Sequence, residues 1–238
     1  MRAAYVAVMI ALVGGLPAGA VEFLAGTGDL AGPRPYVAGM VGASFASLAS
    51  GGVNTGGGSP TANTGVATDD LFTAGGALGM ALDRSNGQLR LEVEGRGRDA
   101  FLGTTGSVFD PFLYDVEVED GWSVTANAWR DFLVTERWGG YVGGGLGGGG
   151  YRLFVADNVS TGYGHVGGFA WQAGGGVIWE MTDRMTLDLG YRWFAIDTLS
   201  TPLALTDGTS TGNYTSTFGA SELLLTVRVY EPFRRLWR

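Results

Sequence analysis

The sequence predicts an all-β fold: an eight-stranded antiparallel up-and-down transmembrane β-barrel. Three observations carry this reading. The chain holds 43 Gly in 238 residues, with 7 Trp, 9 Tyr, 12 Phe and no Cys, a composition that suits crowded β backbones. One segment alternates apolar and polar residues without a break from 88 to 98. Long connections fall at every second position between the expected strands. Other classes are excluded. Collagen needs glycine at every third position, and no such period exists. Simple disorder does not fit 45% hydrophobic and 16% charged residues. Without Cys there is no disulfide scaffold, thiol nucleophile or thiolate metal site. The formal charge is −8 and every basic residue other than the lone His is Arg, scattered along the chain, which argues against nucleic acid as a partner.

Residues 1–20 read as a cleaved secretory signal. Arg2 supplies the positive start, an apolar stretch follows, Pro17 ends it, and Ala18-Gly19-Ala20 matches the small-residue cleavage pattern. The apolar stretch is short for a spanning helix, which needs about 20 such residues. No later run is long enough, so entry into a membrane requires a closed β-barrel. Residues 21–34 are expected as a short periplasmic lead, 35–231 as the barrel and 232–238 as a short periplasmic tail.

The clearest strand is 88–98. Leu89, Leu91, Val93, Gly95 and Gly97 share one face; Gln88, Arg90, Glu92, Glu94, Arg96 and Arg98 share the other. This strand alone fits a soluble sandwich or a membrane barrel. Before it, Asn86-Gly87 is a tight-turn signal, with 70–82 as partner strand and 35–47 as the strand before that. Downstream, 118–132 sets Trp122, Val124, Ala126 and Ala128 against Ser123, Thr125 and Asn127, with the alternation breaking at Trp129-Arg130. Segment 139–152 is Gly-rich, with only Val142 and Leu146 as sizeable aliphatics. Segment 167–180 places Phe169, Trp171, Ala173, Val177 and Trp179 opposite Gln172. Segment 185–194 places Leu187, Leu189, Tyr191 and Trp193 opposite Asp188 and Arg192, and 218–230 places Leu223, Leu225, Val227 and Val229 opposite Glu222, Thr226 and Arg228.

That gives eight strands of roughly 10–15 residues. Connections 48–69, 99–117, 153–166 and 195–217 are long; 83–87, 133–138 and 181–184 are short. Outer-membrane barrels have short periplasmic turns and longer outside loops. A soluble sandwich, the competing architecture, has no reason to gather its long loops at one end.

Two stretches resemble a known family, the small eight-stranded outer-membrane β-barrels of Gram-negative bacteria with OmpA-like or opacity-type architecture. WSVTANAWRDFLVTERWGGYVGGGLGG (122–148) is similar to the family's strand with an Asn and an aromatic-Asp-Phe end, then a turn and Tyr-Val-Gly-x-Gly-Leu-Gly. FAWQAGGGVIWEMTDRMTLDLGYRWF (169–194) is similar to its Phe-Ala-aromatic-Gln strand, Thr-Asp turn and Leu-Asp-Leu-Gly-Tyr-Arg strand. The resemblance implies both termini in the periplasm and a role as surface antigen, adhesin or envelope-stabilising protein, with a narrow porin as the less common case. It implies no catalytic residues. Such barrels commonly finish on an aromatic read by the assembly machinery; here Tyr230 ends the alternating strand and EPFRRLWR follows.

The candidate site residues divide into two groups. Arg90, Glu92, Glu94, Arg96, Asp188, Arg192, Glu222 and Arg228 lie on polar strand faces and are expected inside the barrel as a paired charge network, because an unpaired buried ion costs several kcal/mol. A gate or narrow ion path is the functional alternative. Tyr36, Trp122, Trp138, Tyr141, Trp171, Trp179, Tyr191 and Trp193 lie mostly near strand ends and are expected as interfacial girdles. Gly143–Gly150 lacks the Lys and Ser/Thr of a phosphate loop and reads as a strand that makes room for large neighbours. His165 is the single His and is expected as an exposed loop residue. Asp115, Glu117, Glu119 and Asp120 read as a solvated strand end, with divalent bridging to lipopolysaccharide as the sharper alternative. The expected partners are outer-membrane lipid, lipopolysaccharide and the assembly machinery. No cofactor, metal or enzymatic activity is expected; an envelope-lipid-modifying barrel enzyme using His165 is the most distant alternative.

Overall fold

The computed structural model describes residues 33–54, 61–62, 67–84, 86–107, 110–156, 160–205 and 207–232. The expected signal (1–20), most of the expected lead and nearly all of the expected tail lie outside the described residues. The strands are β1 (Arg34–Asn54), β2 (Thr61–Ala62), β3 (Ala67–Arg84), β4 (Gly87–Arg98), β5 (Phe101–Ser107), β6 (Asp110–Leu133), β7 (Trp138–Ala156), β8 (Ser160–Thr182), β9 (Met185–Leu205) and β10 (Ser210–Tyr230). The long strands pair antiparallel in the order β1-β3-β4-β6-β7-β8-β9-β10. β10 then returns to β1, from Tyr36 opposite Tyr230 to Asn54 opposite Asn213. The ring is closed with eight staves. β5 pairs with β6 on the side that β4 occupies lower down, Phe101 standing opposite Val118, and β2 adds a two-residue pairing to β1. Closure removes the sheet edges that would otherwise leave backbone groups unpaired in lipid.

The strands are longer than the sequence suggested. β6 has 24 residues, β8 has 23, and β1, β9 and β10 have 21 each. Only 157–159 separate β7 from β8, and only 206–209 separate β9 from β10. The expected long loops 153–166 and 195–217 are therefore tall hairpins, not loops. The β9–β10 turn shows why: Gly208 has φ +85°, its N–H bonds Leu205 O at 2.9 Å, and Leu205 N–H bonds Thr209 O at 2.9 Å. An Asp-Gly turn signal had stood inside the expected loop. Asp207 accepts the Thr209 N–H at 2.9 Å, and this backbone bond holds its carboxyl below the usual range. At the other end the turns are short, as expected. Thr135 and Thr182 hydroxyls accept the N–H groups of Trp138 and Met185, each at 3.0 Å.

Several staves, β6, β9 and β10 most plainly, are written in two opposite patterns. In the half nearest the short turns, hereafter proximal, their outward residues are apolar and most of their inward ones polar, while β1, β3 and β7 turn mainly Ala, Gly, Met and Tyr inward. On β10, Glu222, Thr226 and Arg228 are buried while Leu223, Leu225 and Val227 are exposed. In the distal half the pattern inverts. Phe218 and Ala220 on β10, Phe194 and Ile196 on β9, Val116 and Val118 on β6, and Tyr151, Leu153 and Val155 on β7 point inward and form one apolar core. Their outward neighbours include Asp115, Glu117, Arg152, His165 and Asp197. An apolar outer face is stable against hydrocarbon and a polar one against water. The inversion marks where the wall leaves the membrane. On β6 it coincides with a bulge between Glu119 and Trp122, with Asp120 at φ +49°. The molecule is a membrane-spanning barrel with a water-facing distal extension.

The glycines of the proximal half accommodate interior rings. A Cβ at Gly190 would overlap the Tyr141 hydroxyl, and one at Gly79 would overlap the Tyr36 ring. The Gly143–Gly150 run lies within β7, opposite β6 and β8, as the strand reading required. One expected lipid-facing residue differs. Leu89 shares the outward face but is only 7% exposed, opposite Leu82 and Arg130 at the proximal rim.

Candidate functional site

The eight charged residues expected inside the barrel all lie there and are buried. They act with two more, Arg98 and Asp131. The proximal group centres on Asp131. Arg90 Nε lies 2.9 Å from it, Arg228 Nη1 3.0 Å, and Gln88 Nε2 donates to it at 3.0 Å. Arg228 also reaches Asp188 at 2.7 Å. Glu92 links this group to the next: it accepts from Tyr36 Oη at 2.5 Å, Trp129 Nε1 at 2.7 Å and Asn127 Nδ2 at 3.1 Å. In the middle, Glu94 pairs with Arg192 at 2.5 Å and Arg96 at 2.7 Å. Above them Glu222 takes Arg96 and Arg98, the latter at 2.9 Å. Gln172 joins the levels by donating to Asn127 Oδ1 at 2.8 Å and Thr125 Oγ1 at 3.0 Å. The described interior thus holds five Arg (Arg90, Arg96, Arg98, Arg192, Arg228) and five carboxylates (Glu92, Glu94, Asp131, Asp188, Glu222). The balance is what burial demands, since the attraction must offset the loss of hydration.

Two interior residues were missed by the sequence reading, and one signal could have found them. The apparent break at Trp129-Arg130 is a break in polarity, not in facing. Period two continues: Trp129 points in, Arg130 out, Asp131 in. Trp129 packs edge-on to Tyr141 at 5.6 Å, and the Arg192 guanidinium sits 4.6 Å from its ring. Arg130 lies over Phe132 and donates to the carbonyls of Gln88 and Asp131. Following the parity of the strand, not the polarity of its residues, places Asp131 inside.

The aromatic expectation needs a correction. Trp138 and Trp179 stack at 5.8 Å on the outer proximal rim, and Trp122, Trp171 and Trp193 face outward nearer the distal boundary. Tyr191 also faces outward, its hydroxyl 3.0 Å from Ser221 Oγ. Tyr36 and Tyr141, however, are interior residues, 2% and 5% exposed. Tyr36 serves Glu92, and Tyr141 lies beneath the Arg90 guanidinium at 5.3 Å. Both share the inward parity of their strands, with Ser44 on β1 and Tyr151 on β7, so proximity to a strand end was the wrong criterion.

Above the charged levels the distal core closes the lumen. Arg98 lies 3.7 Å from the Phe194 ring, the junction between the two zones, and Phe218 packs against Tyr151 at 4.7 Å. Outside, charge is distributed unevenly. The proximal rim carries Arg34, Arg84, Arg130, Arg137 and Arg184 against Asp83, Glu136, Glu180, Asp183 and Glu231. The distal end carries Asp69, Asp70, Asp99, Asp115, Glu117, Glu119, Asp120, Asp197 and Asp207 against one described Arg, Arg152. Arg152 is held by Asp120 and by Glu119 at 3.3 Å. The acidic excess of the described chain therefore sits entirely at the distal end. His165 is exposed, as expected, but on strand β8 opposite Arg152, with its ring edge-on to Tyr163 at 6.5 Å.

No family model and no curated protein matches the sequence. Among solved structures, the chain is similar to Neisserial surface protein A (NspA), at 19% identity and a TM-score of 0.41, over 84% of this chain and 99% of that one. It is similar to Ail, the attachment invasion locus protein of Yersinia pestis, at 14% identity and 0.32, over 81% and 99%. It is also similar to the outer membrane protein OprG from Pseudomonas aeruginosa, at 11% identity and 0.43, over 80% and 95%.

Proposed function

We propose that the chain is a sealed barrel of the outer membrane that acts through the surface its distal hairpins present outside the cell, and not through its lumen. The observation that carries this reading is the filling of the described interior at every level. Paired charges occupy the membrane-spanning half and an apolar core occupies the extension. An eight-stranded barrel is just wide enough for its own side chains to fill it. Permeant ions would have to displace paired guanidinium groups and then cross a ring of Phe, Tyr and Val. Outer-membrane lipid covers the apolar belt, and lipopolysaccharide surrounds the wall where it leaves the membrane. No catalytic step is assigned.

Conductance tests the sealed lumen. The purified barrel in a planar bilayer is expected to give no steps above the bare-bilayer baseline. Stable channels whose conductance changes with Arg96→Ala would replace this reading with a narrow porin.

A further inference from the structure

We propose that the outward face of β5–β6–β7–β8, beyond the membrane, is a docking surface for a cationic amphipathic polypeptide, a segment alternating basic and apolar side chains. The proposal rests on the reading that the distal hairpins are the working surface, and it names the partner class. Register places Leu102, Glu117, Phe154 and Tyr163 in one row across four strands. All four point outward. Leu102 is 62% exposed and Tyr163 60%. A groove of about 330 Å³ runs along this face, lined by Leu102, Gly103, Asp115, Val116, Glu117 and Phe154.

Hydrocarbon contact does not account for these exposed apolar groups. Glu117 stands opposite Phe154 and Trp122 opposite Gly150, so the bulge aside the row lies four residues beyond Trp122, ~13 Å along a strand at ~3.3 Å per residue. Charged Glu119 and Arg152 lie between the row and the membrane. Neighbouring outward positions at this height, such as Thr161 and Asp115, are polar. The row is thus an apolar stripe on a wall that water covers, interrupted by one carboxylate and flanked by another. The distal end as a whole carries the acidic residues named above against a single described Arg, Arg152. A polyanion is repelled there. A strand or peptide that presents Arg or Lys to Glu117 and Asp115, and Leu or Phe to Leu102, Phe154 and Tyr163, matches both the charge and the apolar stripe.

The test uses the purified barrel in nanodiscs and three short synthetic peptides: alternating Arg-Leu, alternating Glu-Leu, and all Arg. The Arg-Leu peptide is expected to bind, to weaken as salt rises, and to weaken about tenfold or more with Glu117→Lys or Phe154→Ser. The Glu-Leu peptide is expected not to bind. Both substituted side chains point outward, and heat-dependent gel mobility confirms that each variant still closes; Leu102→Ser replaces any that does not. The proposal is overturned by absence of binding, by variants that bind as tightly as the parent, or by an all-Arg peptide that binds equally well, which would reduce the effect to charge alone. Self-association of the barrel through the same residues would overturn it in favour of a second copy. Maleimide labelling of Tyr163→Cys on intact cells reports separately whether this face lies outside. A labelled face without peptide binding sinks the docking proposal and leaves the surface reading standing.

Discussion

Replacing Arg228 with methionine is expected to destabilise the folded barrel by roughly 3–5 kcal/mol. Arg228 is fully buried and bridges two carboxylates, Asp131 at 3.0 Å and Asp188 at 2.7 Å. Methionine fills much of the stem's volume but leaves Asp188 without its ionic partner and Asp131 with Arg90 as its remaining one. A buried carboxylate so stripped costs far more than the pair was worth. Urea unfolding of the lipid-reconstituted barrel, followed by tryptophan fluorescence, measures the loss. Adding Asp188→Asn to Arg228→Met is expected to recover a large part of it, because the stranded charge is removed. Additive losses would show that the two residues are not coupled, and an Arg228→Met loss under about 0.5 kcal/mol would contradict the charge network.

The second large effect concerns the outer face. Leu225 is 44% exposed, and on a soluble protein a surface Leu→Arg change shifts stability by no more than about 0.5 kcal/mol. Against hydrocarbon the same change costs about 2–4 kcal/mol near the midplane. Leu225→Arg is therefore expected to be strongly destabilising in a bilayer, while Thr161→Arg, outward on the distal extension, stays within about 0.5 kcal/mol. The contrast follows from the inversion of sidedness along the wall. Equal, small effects at both positions would contradict a membrane-spanning proximal half.

Much of this architecture is readable in the chain because a barrel wall is written in period two. Gln88–Arg98 and Met185–Phe194 alternate cleanly, Leu223–Val229 does so apart from the inward Leu224, and each has its expected facing. The interior charges follow directly, since Arg90, Glu92 and Glu94 cannot face lipid. Two things were hidden. Trp129 and Asp131 sit where an aromatic points inward and an Arg outward, so polarity ceases to report facing while the backbone continues undisturbed. The distal hairpins were hidden for a different reason. Their water-facing sides carry Thr, Ser, Gly and Asp, the same residues that form loops, and their apolar sides are short. Segment 195–217 reads as loop until Ile196, Leu203, Tyr214 and Phe218 are seen to share one core. That core is assembled from strands distant in sequence, which no single window displays. Tyr36 and Tyr141 show the same limit: their partners, Glu92 and Arg90, lie on another stave.

The architecture described is a closed barrel held in the outer membrane by its proximal half. The most direct measurement is the gel mobility of the outer-membrane fraction with and without boiling. The unboiled protein is expected to run as a compact, detergent-resistant species and to shift on heating, because the ladder from β10 to β1 closes the ring. Recovery in the soluble fraction, with one mobility before and after boiling, would contradict it.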